Sequence, residues 1–353
     1  MSSDVISRVQ ELGGLGLACV LCLTTEQHGI VLADQEELDD VARALAMSCS
    51  EELGLSTIVI ECSDGTDLDF FRQSILVDCP NDTDSDVSHH EQRAPPRHRR
   101  RETPELSLDE RRVADVIIAK NLNKADHYVQ VQALELMRTG RMYTHTAMHS
   151  TGRDFLLMAL NEYDSAVHMS KHLSDLFAIA HHHQGIGSDS DSLSIRSKLT
   201  SEASSLHSVV QGGPRPRPSS VKTVSLRPIA LSDLREATVK VTMTAEVSAY
   251  LQNVIVAMRL HRYVAGGISA FATRCLRMAA KALAVLHGID YVTPAIVDLA
   301  VRKVYLHRLV LADERSERSL RWGSDPIAVR ELMSGITVES AIETVLASVQ
   351  SPL

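Results

Sequence analysis

Gly29-Ile-Val-Leu-Ala33 is followed by Asp34-Gln-Glu-Glu-Leu-Asp-Asp-Val-Ala-Arg-Ala-Leu-Ala-Met47, and then by Thr57-Ile-Val-Ile-Glu-Cys62. The order is an apolar run, an amphipathic stretch and a β-branched run. Leu38, Val41, Ala42, Leu45 and Ala46 recur at three- and four-residue spacing, which predicts a helix over Gln35 to Leu53 with one apolar face. Gly54 stops that helix. The two flanking runs have the length and residue types of buried strands. A second block repeats the order. Val113 to Ala119 reads as a strand, His127 to Met137 as a helix ended by Gly140, and Asp154-Phe-Leu-Leu-Met-Ala159 as a strand. Alternating strands and helices imply a parallel sheet covered by helices.

Outward from these blocks the pattern changes. Residues 80–110 and 184–235 carry no apolar periodicity; the second contains Gly-Gly-Pro-Arg-Pro-Arg-Pro-Ser-Ser (212–220). Both read as loops or insertions. The third ordered block is helical throughout. Thr244 can cap a helix from Ala245 to Arg262, and Ser269 one from Ala270 to His287 with Gly288 at its end. Thr293 can cap a third with Pro294 in its first position, and Thr337 one running to about Val349. The expected division is an α/β domain over 5–183 with its insertion at about 80–110, a Ser/Pro-rich linker over 184–236, a helical domain over 237–320, and a C-terminal helical extension over 321–353.

Composition limits the function classes. The chain has 353 residues, 44% of them hydrophobic, and a net charge of −9. That supports a folded core and argues against a nucleic-acid binder, whose domains are usually basic. No run of about 18 apolar residues predicts a membrane helix. The opening MSSDVISRVQ has no basic stretch followed by an apolar one, so no secretory signal is expected and the cytoplasm or nucleus is the expected location. The six cysteines are then expected to be reduced, and Cys19-Val-Leu-Cys22, inside an apolar run, to be a pair of buried thiols. Glycine is scarce at 17 residues, which matters because phosphate-binding loops need it.

The third block resembles a known family. Arg259-Leu-His261, Gly267-Ile-Ser269, Leu276-Arg-Met-Ala-Ala-Lys-Ala-Leu-Ala284, His287-Gly-Ile-Asp-Tyr-Val-Thr-Pro294 and Leu306-His-Arg-Leu309 are similar to the lid of the magnesium-chelatase ATPase subunit and MoxR-type AAA+ proteins. Asn123-Lys-Ala125 with Gln130 and Leu134, and Leu173-Ser-Asp-Leu-Phe177, resemble stretches of the same family's α/β domain. The nearest likeness is to a fungal branch similar to maintenance-of-telomere-capping proteins. The resemblance implies an AAA+-like parallel-sheet domain followed by an all-α lid, with ATP and magnesium between them in active members.

Residue by residue, the implied chemistry is missing. A phosphate loop needs glycines to wrap the phosphates, a lysine, and a Ser or Thr for magnesium. Between Ala33 and Val41 stand four carboxylates within Asp34-Gln-Glu-Glu-Leu-Asp-Asp40 beyond Asp34 itself, and neither glycine nor lysine. Gly13-Gly-Leu-Gly16 lacks the Gly-Lys-Ser/Thr continuation and reads as a turn. The resemblance places Lys120 and Asn121 where an active enzyme has its metal-holding Asp and its Glu. A lysine there repels a divalent ion. The lid arginine position holds Phe271, with Arg274 nearby, and the arginine position of Leu173–Phe177 holds Leu176. Only Asn161 matches, as the asparagine that orients water. The favoured expectation is therefore a degenerate P-loop protein with no catalytic residue, no cofactor, and protein partners or copies of itself, acting as an interaction or assembly module. The alternative is an ATP-dependent magnesium-chelatase or MoxR-type ATPase using ATP and magnesium. A third is metal binding through the histidine-rich region. There His145 and His149, and His168 and His172, have the spacing that puts two imidazoles on one helix face, with His168 and His172 the weak metal candidates. Arg97-His-Arg-Arg-Arg101 and Ser188-Asp-Ser-Asp-Ser192 are a localisation candidate and a phosphorylation candidate within the insertions.

Overall fold

The computed structural model describes Val9 and residues 12–78, 111–145, 147–163, 165, 167–183, 229–313 and 317–352. The basic run, the acidic serine stretch and Cys79 lie outside them.

Five strands form one parallel sheet. They are β1 (His28–Ala33), β2 (Thr57–Glu61), β5 (Val116–Lys120), β8 (Leu156–Glu162) and β9 (Phe177–His182), in the spatial order β2-β5-β8-β1-β9. Outside the edge strand β2, whose Val59 is 43% exposed, the alternating residues of each strand serve two cores. Val31, Val116, Ile118, Leu156, Met158 and Leu160 face helices α1 (Gly14–Thr25) and α2 (Leu38–Met47). Ile30, Ile117, Ala119, Leu157 and Ala159 face α3 (Leu68–Ser74), α4 (His127–Thr139) and α5 (Lys171–Leu176). Burial on both faces is why these strands read as continuous apolar runs rather than as alternation. After β1 the chain leaves through α2 on one face, and after β8 it leaves through α5 on the other. The crevice at the C-terminal ends of β1 and β8 is thus the topological switch point, where open α/β sheets bind ligands.

The lid follows the sheet's β9 edge. It contains α6 (Ile229–Lys240), α7 (Ala245–Leu260), α8 (Ala270–Leu286) and α9 (Pro294–Tyr305), and α10 (Pro326–Met333) and α11 (Val338–Ser348) come after it. Its caps match the sequence: the Thr244, Ser269 and Thr293 hydroxyls accept from the Val247, Ala272 and Ile296 amides, and Thr337 forms a capping box with Ser340.

Several readings change. Gly13-Gly-Leu-Gly16 is no turn: Gly13 precedes α1 and Gly14 opens it, in a helix buried nearly all round between the sheet and the lid. The helix expected from Gln35 to Leu53 is broken into a 3-10 turn (Gln35–Glu37), α2, and a π-turn (Ser48–Glu52). The strand expected from Val113 starts at Val116, because Arg112 and Val113 pair instead with β3 (Leu76–Val77) as β4. The third block is not wholly helical: β10 (Val264–Gly266) pairs antiparallel with β11 (Val310–Leu311). Helix α6 occupies 229–236, the end of the 184–236 stretch read as linker; the rest of that stretch lies outside the described residues. Neither histidine pair shares a helix face. His149 lies in β7 (Met148–Ser150), paired with β6 (Arg141–Tyr143), and His145 in their connecting loop; His168 precedes α5 and His172 is inside it.

Candidate functional site

At the end of β1, Ala33 is fully buried and Asp34 alone, in extended conformation, separates the strand from the 3-10 turn. Four residues therefore join β1 to α2, where a phosphate loop of the G-x-x-x-x-G-K-[ST] form needs about eight. Glu36, Glu37, Asp39 and Asp40 occupy the first turns of that helical segment. Carboxylates there complement the helix dipole with the protein's own charge, so a triphosphate would meet repulsion.

Lys120 ends the interior strand β5, in register with Glu61 of β2 and Leu160 of β8. Its stem is buried. Its ammonium donates to the Asp39 carboxylate at the start of α2 and lies 3.5 Å from Glu61. The bond to Asp39 raises the Lys120 pKa, and the same bond holds the Asp39 carboxyl below the usual carboxylate range. Two oddities of the sequence, acid after β1 and a base after β5, thus form one ion pair. It bridges the two strand ends between which the resemblance puts phosphate and magnesium. Magnesium with ATP does not fit these residues. The cation position is taken by an ammonium, and the β1–α2 connection is too short to wrap phosphates. Asn121 follows in the left-handed region (φ 53°), its amide donating to the Leu160 carbonyl.

The other degenerate positions do not gather around Lys120. Strand alternation puts Asn161 on the opposite sheet face, one residue past Leu160. There it borders a cavity of about 1150 Å³ between the sheet, the β8–α5 connection and the lid, with His168 and His172 at the same cavity. Asn161 is 5% exposed; its amide reaches only the Met169 sulfur at 3.9 Å, and its carbonyl oxygen has no partner. Phe271 and Arg274, in the first turns of α8, stack on each other, with the guanidinium carbon 5.4 Å from the ring centre. Neither borders the cavity.

The lid motif His307-Arg308 and Ser269 form a joint that the sequence did not reveal as one. Arg308 is 5% exposed and donates to the carbonyls of Asp175 (2.8 Å) and Phe177, where α5 passes into β9. Its Nε lies 3.6 Å from the Asp175 carboxylate, which also accepts from the Ser269 hydroxyl at 2.7 Å. His307 Nε2 donates to the Phe177 carbonyl at 2.9 Å, and burial pushes this imidazole down to about 3. Gly267 (φ +97°) passes so close to the Arg308 carbonyl that a Cβ would come within 1.9 Å of its oxygen. These groups fasten the lid to the α5–β9 junction. The sequence signal was the His-Arg pair itself; its partners Asp175 and Phe177 are 130 residues away and could not be read locally.

Cys19 and Cys22 are fully buried in α1. The Cys49 thiol 3.7 Å away and burial raise Cys19, and burial raises Cys22, so both are neutral thiols. Among the described residues no three His, Cys, Asp or Glu side chains are placed to hold a metal ion, and no helix is long and apolar enough to cross a membrane.

Residues 256–327 match the family model of the AAA lid domain. A candidate ATPase from Cytophaga hutchinsonii has a similar structure, with a TM-score of 0.62, 16% identity, 99% of this chain covered and 94% of that one. An MCM homologue from Methanopyrus kandleri aligns with a TM-score of 0.45, 14% identity, 87% of this chain covered and 59% of that one. No curated protein matches the sequence. The chain thus has an AAA+ α/β fold followed by an AAA lid.

Proposed function

We propose that this chain is a non-catalytic AAA+-like protein that works as an interaction or assembly module. The Lys120–Asp39 ion pair carries the reading. It sets a fixed positive charge against an acidic helix start, at the two strand ends between which an ATPase needs a divalent ion and phosphates. An ATPase could compensate for one missing group, but here the phosphate loop, the metal ligand and the lid arginine are all replaced. The lid needs no nucleotide to close, because Arg308, His307 and Ser269 hold it to the α5–β9 junction. Within the AAA+ fold we place the chain nearest the magnesium-chelatase and MoxR branch and its fungal, maintenance-of-telomere-capping-like members, on the strength of Gly288–Pro294 and His307-Arg308. We take its partners to be proteins, encountered in the cytoplasm or nucleus, and its functional division to be the α/β domain and the lid, with α6 on the lid side.

The test is turnover. Purified full-length protein with millimolar ATP and magnesium is expected to release phosphate no faster than a protein-free control. Release above that control, dependent on magnesium, would establish the ATPase reading instead.

A further inference from the structure

The cavity beside Asn161 is separate from the closed nucleotide position, because it lies on the other face of the sheet from Lys120. Its walls are largely apolar, with Ile30 and Leu32 from β1 and Ile268, Leu306, Leu309 and Leu311 from the lid. Its polar groups fall into two sets. Inside are Asn161 and Asn123, 5% and 4% exposed, each with a carbonyl oxygen that has no partner. A buried carboxamide left unpaired is costly, and its terminal torsion is soft, so turning the oxygen toward an incoming donor is easy. At the mouth are His168, Lys171 and His172, exposed and without an ion-pair partner among the described residues. The acids at the same cavity are already engaged. Glu162 pairs with Lys124 at 3.3 Å, Asp175 accepts from Ser269, and Glu339 accepts from the Tyr163 hydroxyl. Lys171 is thus a cation at the mouth without an ion-pair partner among the described residues, the interior is apolar, and the floor asks for a donor.

We propose that this cavity binds a small amphiphilic anion. It would have an apolar, ring-sized body, at least one N–H or O–H donor directed at Asn161, and a carboxylate or phosphate at Lys171 and the two histidines. A volume of about 1150 Å³ admits such a molecule with room for water.

The probe is 8-anilinonaphthalene-1-sulfonate, which has an aromatic body, one N–H and one anionic group. Full-length protein is expected to bind one equivalent saturably with enhanced fluorescence. Asn161→Leu, which keeps the shape and removes the acceptor, should weaken binding about tenfold, and Lys171→Glu severalfold, with thermal unfolding confirming that both variants fold. Trp322→Ser, which removes an exposed aromatic elsewhere, should leave the affinity unchanged. Competition with indole-3-propionate and with adenosine monophosphate tells a carboxylate from a phosphate; displacement by either supports the site and names its anion. Displacement by neither, an effect of Trp322→Ser with none from Asn161→Leu, or a requirement for magnesium would overturn the proposal. Magnesium-independent binding without phosphate release leaves the non-catalytic reading intact, and absence of binding does not touch it, so the two proposals fail separately.

Discussion

Lys120 and Asp39 show how one pair of residues changes the chemistry of a fold. Asp39 is exposed and Lys120 is buried along its stem, so the bond is a half-exposed one and its contribution to stability is small. Its consequence is positional. The sign of the linkage follows from the shift: the Asp39 carboxyl is depressed in the folded protein, so the stability it brings is present above its ordinary value near about 3.9 and is lost as pH falls through the folded one. Lys120→Ala is expected to return the Asp39 carboxyl to the ordinary range in a carboxylate NMR titration; an Asp39 that titrates identically in variant and parent would show that the pair does not form in solution. Gly267 gives a sharper stability prediction. A methyl group there meets the Arg308 carbonyl at 1.9 Å in a backbone conformation that disfavours side chains, while at Gly266 it meets open space. Gly267→Ala should cost about 3 kcal/mol or more in denaturant unfolding, and Gly266→Ala about 1 kcal/mol or less.

At the scale of elements, the lid is held by the turn after α9 and the start of α8. Arg308→Met would remove the guanidinium donor from the Asp175 carbonyl and leave the Phe177 carbonyl with His307 alone, costing about 3 kcal/mol or more. Hydrogen exchange should speed first in α8, α9 and the β10–β11 pair, while β5 keeps its protection; equal acceleration everywhere would mean that this joint does not govern the lid. The same scale explains what could be read in advance. Helix caps at Thr244, Ser269 and Thr293 are local, and the apolar runs of β1 and β5 are buried on both faces, so their residues declare them. The β10–β11 pair was missed because strands of three and two residues give no periodicity, and two helices separate them in the chain. The histidine pairs misled because i, i+4 spacing means one face only if the segment is a helix, and β7 and the β8–α5 connection are not. In the candidate site, the loss of the phosphate loop was legible at Asp34–Asp40. The use made of those acids was not, since Asp39 and Lys120 are 81 residues apart and meet only through the order β2-β5-β8-β1-β9.

Across the whole molecule, neutral histidines tie α/β domain and lid to one pH response. His28 Nδ1 accepts the Leu157 amide at 3.1 Å, and burial pushes His28 down to about 4; His307 is pushed down to about 3. Unfolding frees both imidazoles to bind protons below about 6.5, so stability rises with pH between about 4 and 6.5, by up to about 1.4 kcal/mol per pH unit for each. Urea unfolding across that interval should show the slope, and His307→Gln should remove the lid's share; a flat profile would mean that these imidazoles are not buried neutral. The central claim is that the nucleotide position is closed by Lys120 and Asp39. Titration of the full-length protein with a fluorescent ATP analogue, with and without magnesium, tests it most directly. The account predicts no magnesium-dependent binding up to millimolar nucleotide. Saturable binding that needs magnesium and is altered by Lys120→Ala would contradict it.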